Sequence, residues 1–125
     1  MDVVRQWLSN KINRKEISIY LHDVLAVSKI AIYGAGELGE LLFDDLKDFS
    51  EIKVQYFIDK NADSLYYGID DMEIFSLDEL KYASPVDAII ITPYPFYDQI
   101  KEELDRHLKY STQLVSLEDL VYKVE

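Results

Sequence analysis

The chain has no cysteine, only three prolines and only four glycines in 125 residues. Without cysteine there is no disulfide framework, no thiolate zinc site and no cysteine nucleophile, and redox chemistry through sulfur is excluded. Basic residues are scarce as well: 13 Lys and Arg against 24 Asp and Glu leave a net charge of −11. That balance disfavours a nucleic-acid backbone or an anionic membrane surface as a general partner. Long apolar runs are missing too. A run such as Ala88–Ile91 falls far short of the roughly 18 residues of a membrane span, and the N-terminus carries no apolar signal region. These absences predict a soluble, cytoplasmic protein. The chain is nevertheless 49% apolar, enough to bury the core of one ordinary domain without metals or disulfides.

Within residues 2–27 apolar side chains recur at helical intervals: Val3, Val4, Trp7, Leu8 and Ile12, then Ile17, Tyr20, Leu21, Val24 and Leu25. Two short helices or one bent helix are expected, with the Trp7 stripe packing on its own domain. Residues 29–33, KIAIY, read as a strand that runs straight into Gly34 to Gly39, and a second helical pattern follows at Leu38, Leu41, Leu42, Leu46 and Phe49. Residues 53–58, KVQYFI, form another strand that ends at Asp59, with loop residues Asn61, Ala62, Asp63 and Ser64 behind it. Residues 65–71, around Gly68, read as a loop crossing an edge of the sheet. A short third strand is expected over residues 72–75, and Ser76 to Glu79 matches a capping box that predicts a helix of about two turns. Residues 87–92, DAIIIT, have the continuous apolar character of a central parallel strand covered on both faces. Pro93, Tyr94 and Pro95 stop it. A helix follows over residues 96–108 with Tyr97, Ile100, Leu104 and Leu108 on one stripe, then a fifth strand over 113–117 and a short closing helix.

Three of the four glycines stand at Gly34, Gly36 and Gly39, the G-x-G-x-x-G spacing, immediately after a strand and opening a helix. The three differ in what they allow. Gly34 lets the chain turn sharply, Gly36 leaves room for a pyrophosphate, and Gly39 lets the helix pack close to the sheet. The free amides and the dipole at the helix start then attract an anion. Asp59 stands 20 residues past Gly39, where a carboxylate can accept hydrogen bonds from a ribose diol. It would repel a 2′-phosphate, which favours NAD over NADP, although Lys60 beside it softens that discrimination. The same geometry serves S-adenosylmethionine, coenzyme A, flavin and nucleotide sugars. Glu37 and Glu40 lie in the first turn of the same helix, where each stabilises the helix by about 0.3–1 kcal/mol but raises the electrostatic cost of a pyrophosphate.

Strands alternating with helices argue for right-handed βαβ units and a parallel sheet. The predicted fold is α/β, a Rossmann-like doubly wound parallel sheet of five strands in the order 3-2-1-4-5, preceded by an N-terminal helical segment. A single domain is expected over residues 1–125, with a helical extension at 1–27, a nucleotide-binding core at 29–117 and a closing helix at 118–125. Any ligand is expected at the switch point above Gly34 and Thr92.

The stretches IAIYGAGELGELL, VQYFIDKN, MEIFSLDEL and DAIIITP together resemble the nucleotide-binding domain of bacterial polysaccharide-biosynthesis proteins of the nucleotide-sugar epimerase and dehydratase type, over about residues 29–117. The resemblance implies an NAD- or CoA-binding-like domain in which Gly34, Ala35, Gly36, Glu37 and Leu38 meet phosphate. It also implies that Asp59, with Lys60 adjacent, meets ribose, and that Thr92, Pro93 and Tyr94 line the cofactor from the fourth strand. Two departures from the large members are expected: the leading helices are not their membrane region, and a substrate domain is not supplied by this stretch of sequence.

Enzymes of that type use a Tyr-x-x-x-Lys pair on a helix, the lysine lowering the tyrosine pKa for proton transfer while hydride moves to nicotinamide. Tyr56 and Lys60 match at the end of a strand, where this spacing does not juxtapose side chains, and Tyr97 and Lys101 match on a helix where Tyr97 also fits the apolar stripe. Neither pair is assigned a catalytic role. His22 and His107 show no metal-ligand spacing, and the acidic pairs Asp44-Asp45, Asp70-Asp71 and Glu102-Glu103 read as solvated faces. The expected partner is a small-molecule nucleotide, NAD first, with nucleotide sugars, CoA and S-adenosylmethionine as alternatives. Epimerase or dehydratase chemistry would need groups supplied elsewhere. The alternative is a non-catalytic nucleotide-sensing or assembly module, and a homo-oligomer or a larger parent protein is left open.

Overall fold

In the computed structural model residues 2–12, 16–62 and 72–123 are described. The β-branched and aromatic runs build five parallel strands, β1 (Lys29–Tyr33), β2 (Lys53–Ile58), β3 (Ile74–Phe75), β4 (Ala88–Ile91) and β5 (Gln113–Ser116), in the order β3-β2-β1-β4-β5. This is the order the sequence predicts, with the reversal of direction falling between β1 and β4. Every residue of β4 is 0% exposed, as a strand covered on both faces requires.

Helices α1 (Val3–Ile12) and α2 (Ile17–Ile19) lead the chain, and α2 runs on as a π-helical turn over Tyr20–Val24. Helix α3 (Glu37–Leu46) connects β1 to β2, α4 (Tyr97–His107) connects β4 to β5, and α5 (Leu117–Lys123) closes the chain. Strand alternation divides the core into two layers. Ile30, Ile32, Ala88 and Ile90 pack with Trp7, Leu42, Leu46 and Leu120, whereas Ala31, Tyr33, Ile89 and Ile91 pack with Leu80, Ile100 and Leu104. One irregularity breaks the alternation of β2. Ile30 pairs with Val54 but Ala31 pairs with Tyr56, so Gln55 is an extra residue, and Val54 and Phe57 share a layer although three positions apart.

The Trp7 stripe packs on its own domain. The indole Nε1 donates to Asp45 Oδ2 at 2.9 Å, Lys11 Nζ meets Asp45 Oδ1 at 2.7 Å, and Asn10 Nδ2 donates to the Val121 carbonyl of α5 at 2.6 Å. Asp45 is therefore a docking point for α1 and not part of a solvated acidic face, while Asp44 keeps a side chain 62% exposed. Consecutive helix positions point about 100° apart, so an acidic pair can split between inside and outside.

Two expectations change in the third quarter of the chain. The capping-box contact forms, Glu79 Oε1 accepting the Ser76 N–H at 2.9 Å, and that bond holds the Glu79 carboxyl below its ordinary value. The element it opens is, however, a five-residue 3₁₀ turn, Asp78–Tyr82, and not a two-turn helix. Ala83 already has extended backbone, ψ 149°, ahead of Ser84 and Pro85, and proline both lacks an N–H and drives its predecessor away from helical geometry. The expected third strand shortens to Ile74–Phe75, and the loop expected around Gly68 lies outside the described residues. Among the described residues no helix is long and apolar enough to cross a membrane.

The π-helical turn is closed by a left-handed residue, Ala26 at φ 56°, with Val27 N–H donating to the Leu21 carbonyl at 3.0 Å. That conformation costs an L-residue about 1–2 kcal/mol, and the Ala26 side chain is exposed. Ala26→Gly is therefore expected to raise stability by about 1 kcal/mol. Urea unfolding checks this; a midpoint that stays put or falls contradicts it.

Candidate functional site

Strand β1 delivers Tyr33 and Gly34 to the carboxyl edge of the sheet. Gly34 takes φ +101°, its N–H donates to the Ile58 carbonyl at 2.8 Å, and a Cβ there would collide with Thr92 Oγ1. A Cβ on Gly39 would run into the Gly34 carbonyl oxygen, whereas a Cβ on Gly36 would meet nothing within 4 Å. Two of the three glycines are thus demanded by the protein's own packing. The space at Gly36 is left open.

Gly36 is also the N-cap of α3, with no side chain capping the helix. The amides of a first helical turn have no partners inside the helix, so they form a ready anion site at the sheet edge. Glu37 and Glu40 lie exposed in that turn, Leu38 packs against the layer containing Leu42, and Ala35 is buried.

Asp59 leaves the end of β2 and folds back over the glycine turn. Its Oδ2 accepts the Ala35 N–H at 2.9 Å and its Oδ1 accepts the Asn61 N–H at 2.8 Å. A carboxylate offers about four acceptor positions, so two are engaged by the backbone and two stay available to hydroxyl donors. The backbone bonds fix the direction in which the remaining lone pairs point.

Beside this turn opens a cleft of about 310 Å³. One wall is Tyr33, Gly34, Asp59, Lys60 and Asn61; the other is Pro93, Phe96, Gln99 and Ile100. Burial, with added repulsion from Glu103 and Asp59, pushes the Tyr33 phenol up to about 12, so it stays protonated as a hydrogen-bond donor. Lys60 reaches across to α4, its Nζ 2.8 Å from Glu103 Oε1.

The fourth-strand residues separate. Thr92 is 2% exposed, and its hydroxyl and N–H both donate to the Tyr33 carbonyl, at 2.8 and 3.0 Å. Pro93 lines the cleft, while Tyr94 packs back against the opposite layer. The two Tyr-x-x-x-Lys pairs are structural as well. The Tyr97 hydroxyl donates to the Leu114 carbonyl of β5 at 3.0 Å, and the Tyr56 hydroxyl donates to the Ser84 carbonyl at 2.9 Å. Burial raises both phenols. His22 pairs with Asp23, and His107 lies 3.5 Å from Asp78; among the described residues no group of three His, Asp or Glu is placed to hold a metal.

Tyr33, Asn61, Phe96, Gln99, Ile100 and Glu103 are not singled out for the site by sequence pattern. A signal is nevertheless present. Positions 96, 99, 100 and 103 follow one helical face, and the helix after β4 begins at the same switch point as the glycine turn.

Fold and glycine turn together define a Rossmann-like domain. The family profile described as C2185-like, N-terminal, matches residues 26–115, and the chain belongs to that family. No curated protein matches it. Among solved structures RSP, a Rex-family repressor, is similar at a TM-score of 0.55 and 19% identity, over 83% of this chain and 61% of that one. At that identity the likeness is one of fold, and the present chain spans 61% of that repressor's length.

Proposed function

We propose that this domain binds a ribonucleotide across the carboxyl edge of its sheet, with NAD(H) the leading ligand. The observation that carries the reading is the open space at Gly36, on the uncapped start of α3, beside a cleft whose rim holds Asp59. In this reading the first-turn amides of α3 take the phosphates and the free lone pairs of Asp59 take the ribose hydroxyls. A base enters the cleft between Pro93, Phe96 and Ile100, with Tyr33, Asn61 and Gln99 offering hydrogen bonds to its edge. NAD(H), once bound, would supply hydride chemistry; this chain's part is to bind and orient it, and groups for a reaction would come from elsewhere. A place in sugar-nucleotide or polysaccharide metabolism rests on the sequence resemblance alone, and the geometry of the glycine turn keeps nucleotide sugars, CoA and S-adenosylmethionine as alternative ligands.

Two observations favour a second reading, an assembly module without a ligand. Asp59 already satisfies the Ala35 amide, and Glu37 and Glu40 oppose a pyrophosphate at the helix start. Isothermal titration with NAD+, NADH, NADP+, UDP-sugars, CoA and S-adenosylmethionine separates the two. Binding of NAD+ that weakens at least about tenfold in Asp59→Ala, consistent with loss of hydrogen bonds to a charged acceptor, supports the first. Silence across the whole panel supports the second.

A further inference from the structure

We propose that Glu103 sets the dinucleotide preference of this site by holding Lys60 away from the ribose; the inference rests on the nucleotide reading above. Lys60 directly follows Asp59 at the end of β2, the place from which a cation accommodates a 2′-phosphate in this fold. Among the described residues it is also the one cation lining the cleft. Its ammonium nevertheless points to α4, 2.8 Å from Glu103, in a pair whose side chains are 48% and 15% exposed respectively. The carboxylate is the fixed partner, sheltered on α4 near Tyr33, and the lysine is the one drawn over. Sequence adjacency alone makes Lys60 a residue that relaxes discrimination between NAD and NADP. The geometry gives it the opposite part: a 2′-phosphate meets the Asp59 carboxylate while the nearest cation is neutralised by Glu103.

Neutralising Glu103 should therefore release Lys60 toward the ribose. Titration of the whole chain with NAD+ and NADP+ tests this in the wild type, in Glu103→Gln, and in Glu103→Gln combined with Lys60→Ala, with thermal unfolding confirming that each is folded. The wild type should prefer NAD+. Glu103→Gln should narrow that preference about tenfold through tighter NADP+ binding, the size of a charge-assisted contact to phosphate, and Lys60→Ala should erase the gain. If NAD+ binds and the ratio in Glu103→Gln equals the wild-type ratio, or if the gain survives the loss of Lys60, the role given to Glu103 is wrong while the nucleotide reading stands. Failure of the wild type to bind either dinucleotide overturns the nucleotide reading, and this inference with it.

Discussion

Gly39→Ala is expected to lower the stability of this domain by about 3 kcal/mol, or to stop it folding, although alanine is the better helix former. In an exposed helix the exchange would gain about 1 kcal/mol from propensity. Here the added Cβ runs into the carbonyl oxygen of Gly34 and stands 3.5 Å from the Phe57 ring. The obstacle is backbone, in a turn already fixed at φ +101° and bonded to Ile58, so it cannot swing aside as a side chain would. Helix α3 must lift from the sheet, and that loosens Leu42 and Leu46, both 0% exposed. Overpacking of this kind costs about 1–3 kcal/mol and occasionally more. Urea unfolding measures it, and a midpoint at or above the wild-type value would mean that α3 and the glycine turn are less closely apposed than described.

Three residues earlier the expected outcome is reversed. Gly36 has φ −91° and ψ −160°, extended backbone that valine adopts freely, and nothing lies within 4 Å of its Cβ position. Gly36→Val should therefore stay within about 1 kcal/mol of the wild-type stability, the loss being that of a less favourable N-cap. Its branched side chain fills the space over the first-turn amides, and the affinity for NAD+ should fall about a hundredfold, as the loss of charge-assisted hydrogen bonds to phosphate predicts. Calorimetric titration alongside unfolding reads both quantities on one sample. Undiminished affinity would move the phosphates away from α3.

The sheet was legible because its central strands are buried on both faces, and DAIIIT admits few other readings. The glycine turn was legible because Gly34 and Gly39 are required by contacts that any such strand-turn-helix must make. What stayed hidden depends on tertiary context. Nothing local announces that Gln55 is an extra residue; the extra position is visible only when β2 is laid against β1. The stretch after Ser76 carries a helix start, but the brake, Pro85, acts from beyond the element it shortens. Spacing puts Asp59 at the end of the second strand, whereas its bond to Ala35 requires knowing how that strand ends beside the first. The family resemblance implies that Thr92 and Tyr94 line a cofactor, and only coordinates show a threonine hydroxyl turned to a carbonyl and a tyrosine turned to the far layer. On α4 periodicity tracks the apolar stripe and passes over Gln99 on the same side, while Glu103, which by sequence reads with Glu102 as a solvated face, has a side chain 15% exposed and paired with Lys60.

The double hold of Thr92 on the Tyr33 carbonyl has a mechanical consequence. Doubly wound sheets accommodate ligands where neighbouring strands part company at the reversal, yet here the two strands are laced together up to their tips. The floor of the site is thus stiff, and any accommodation of a guest must come from the flanks, by rotation of side chains such as Phe96 or a small shift of α4, which follows it. For a ligand at this mouth, shape selection would fall to α4 and to the residues at the end of β2, with the sheet a fixed reference against which they are set.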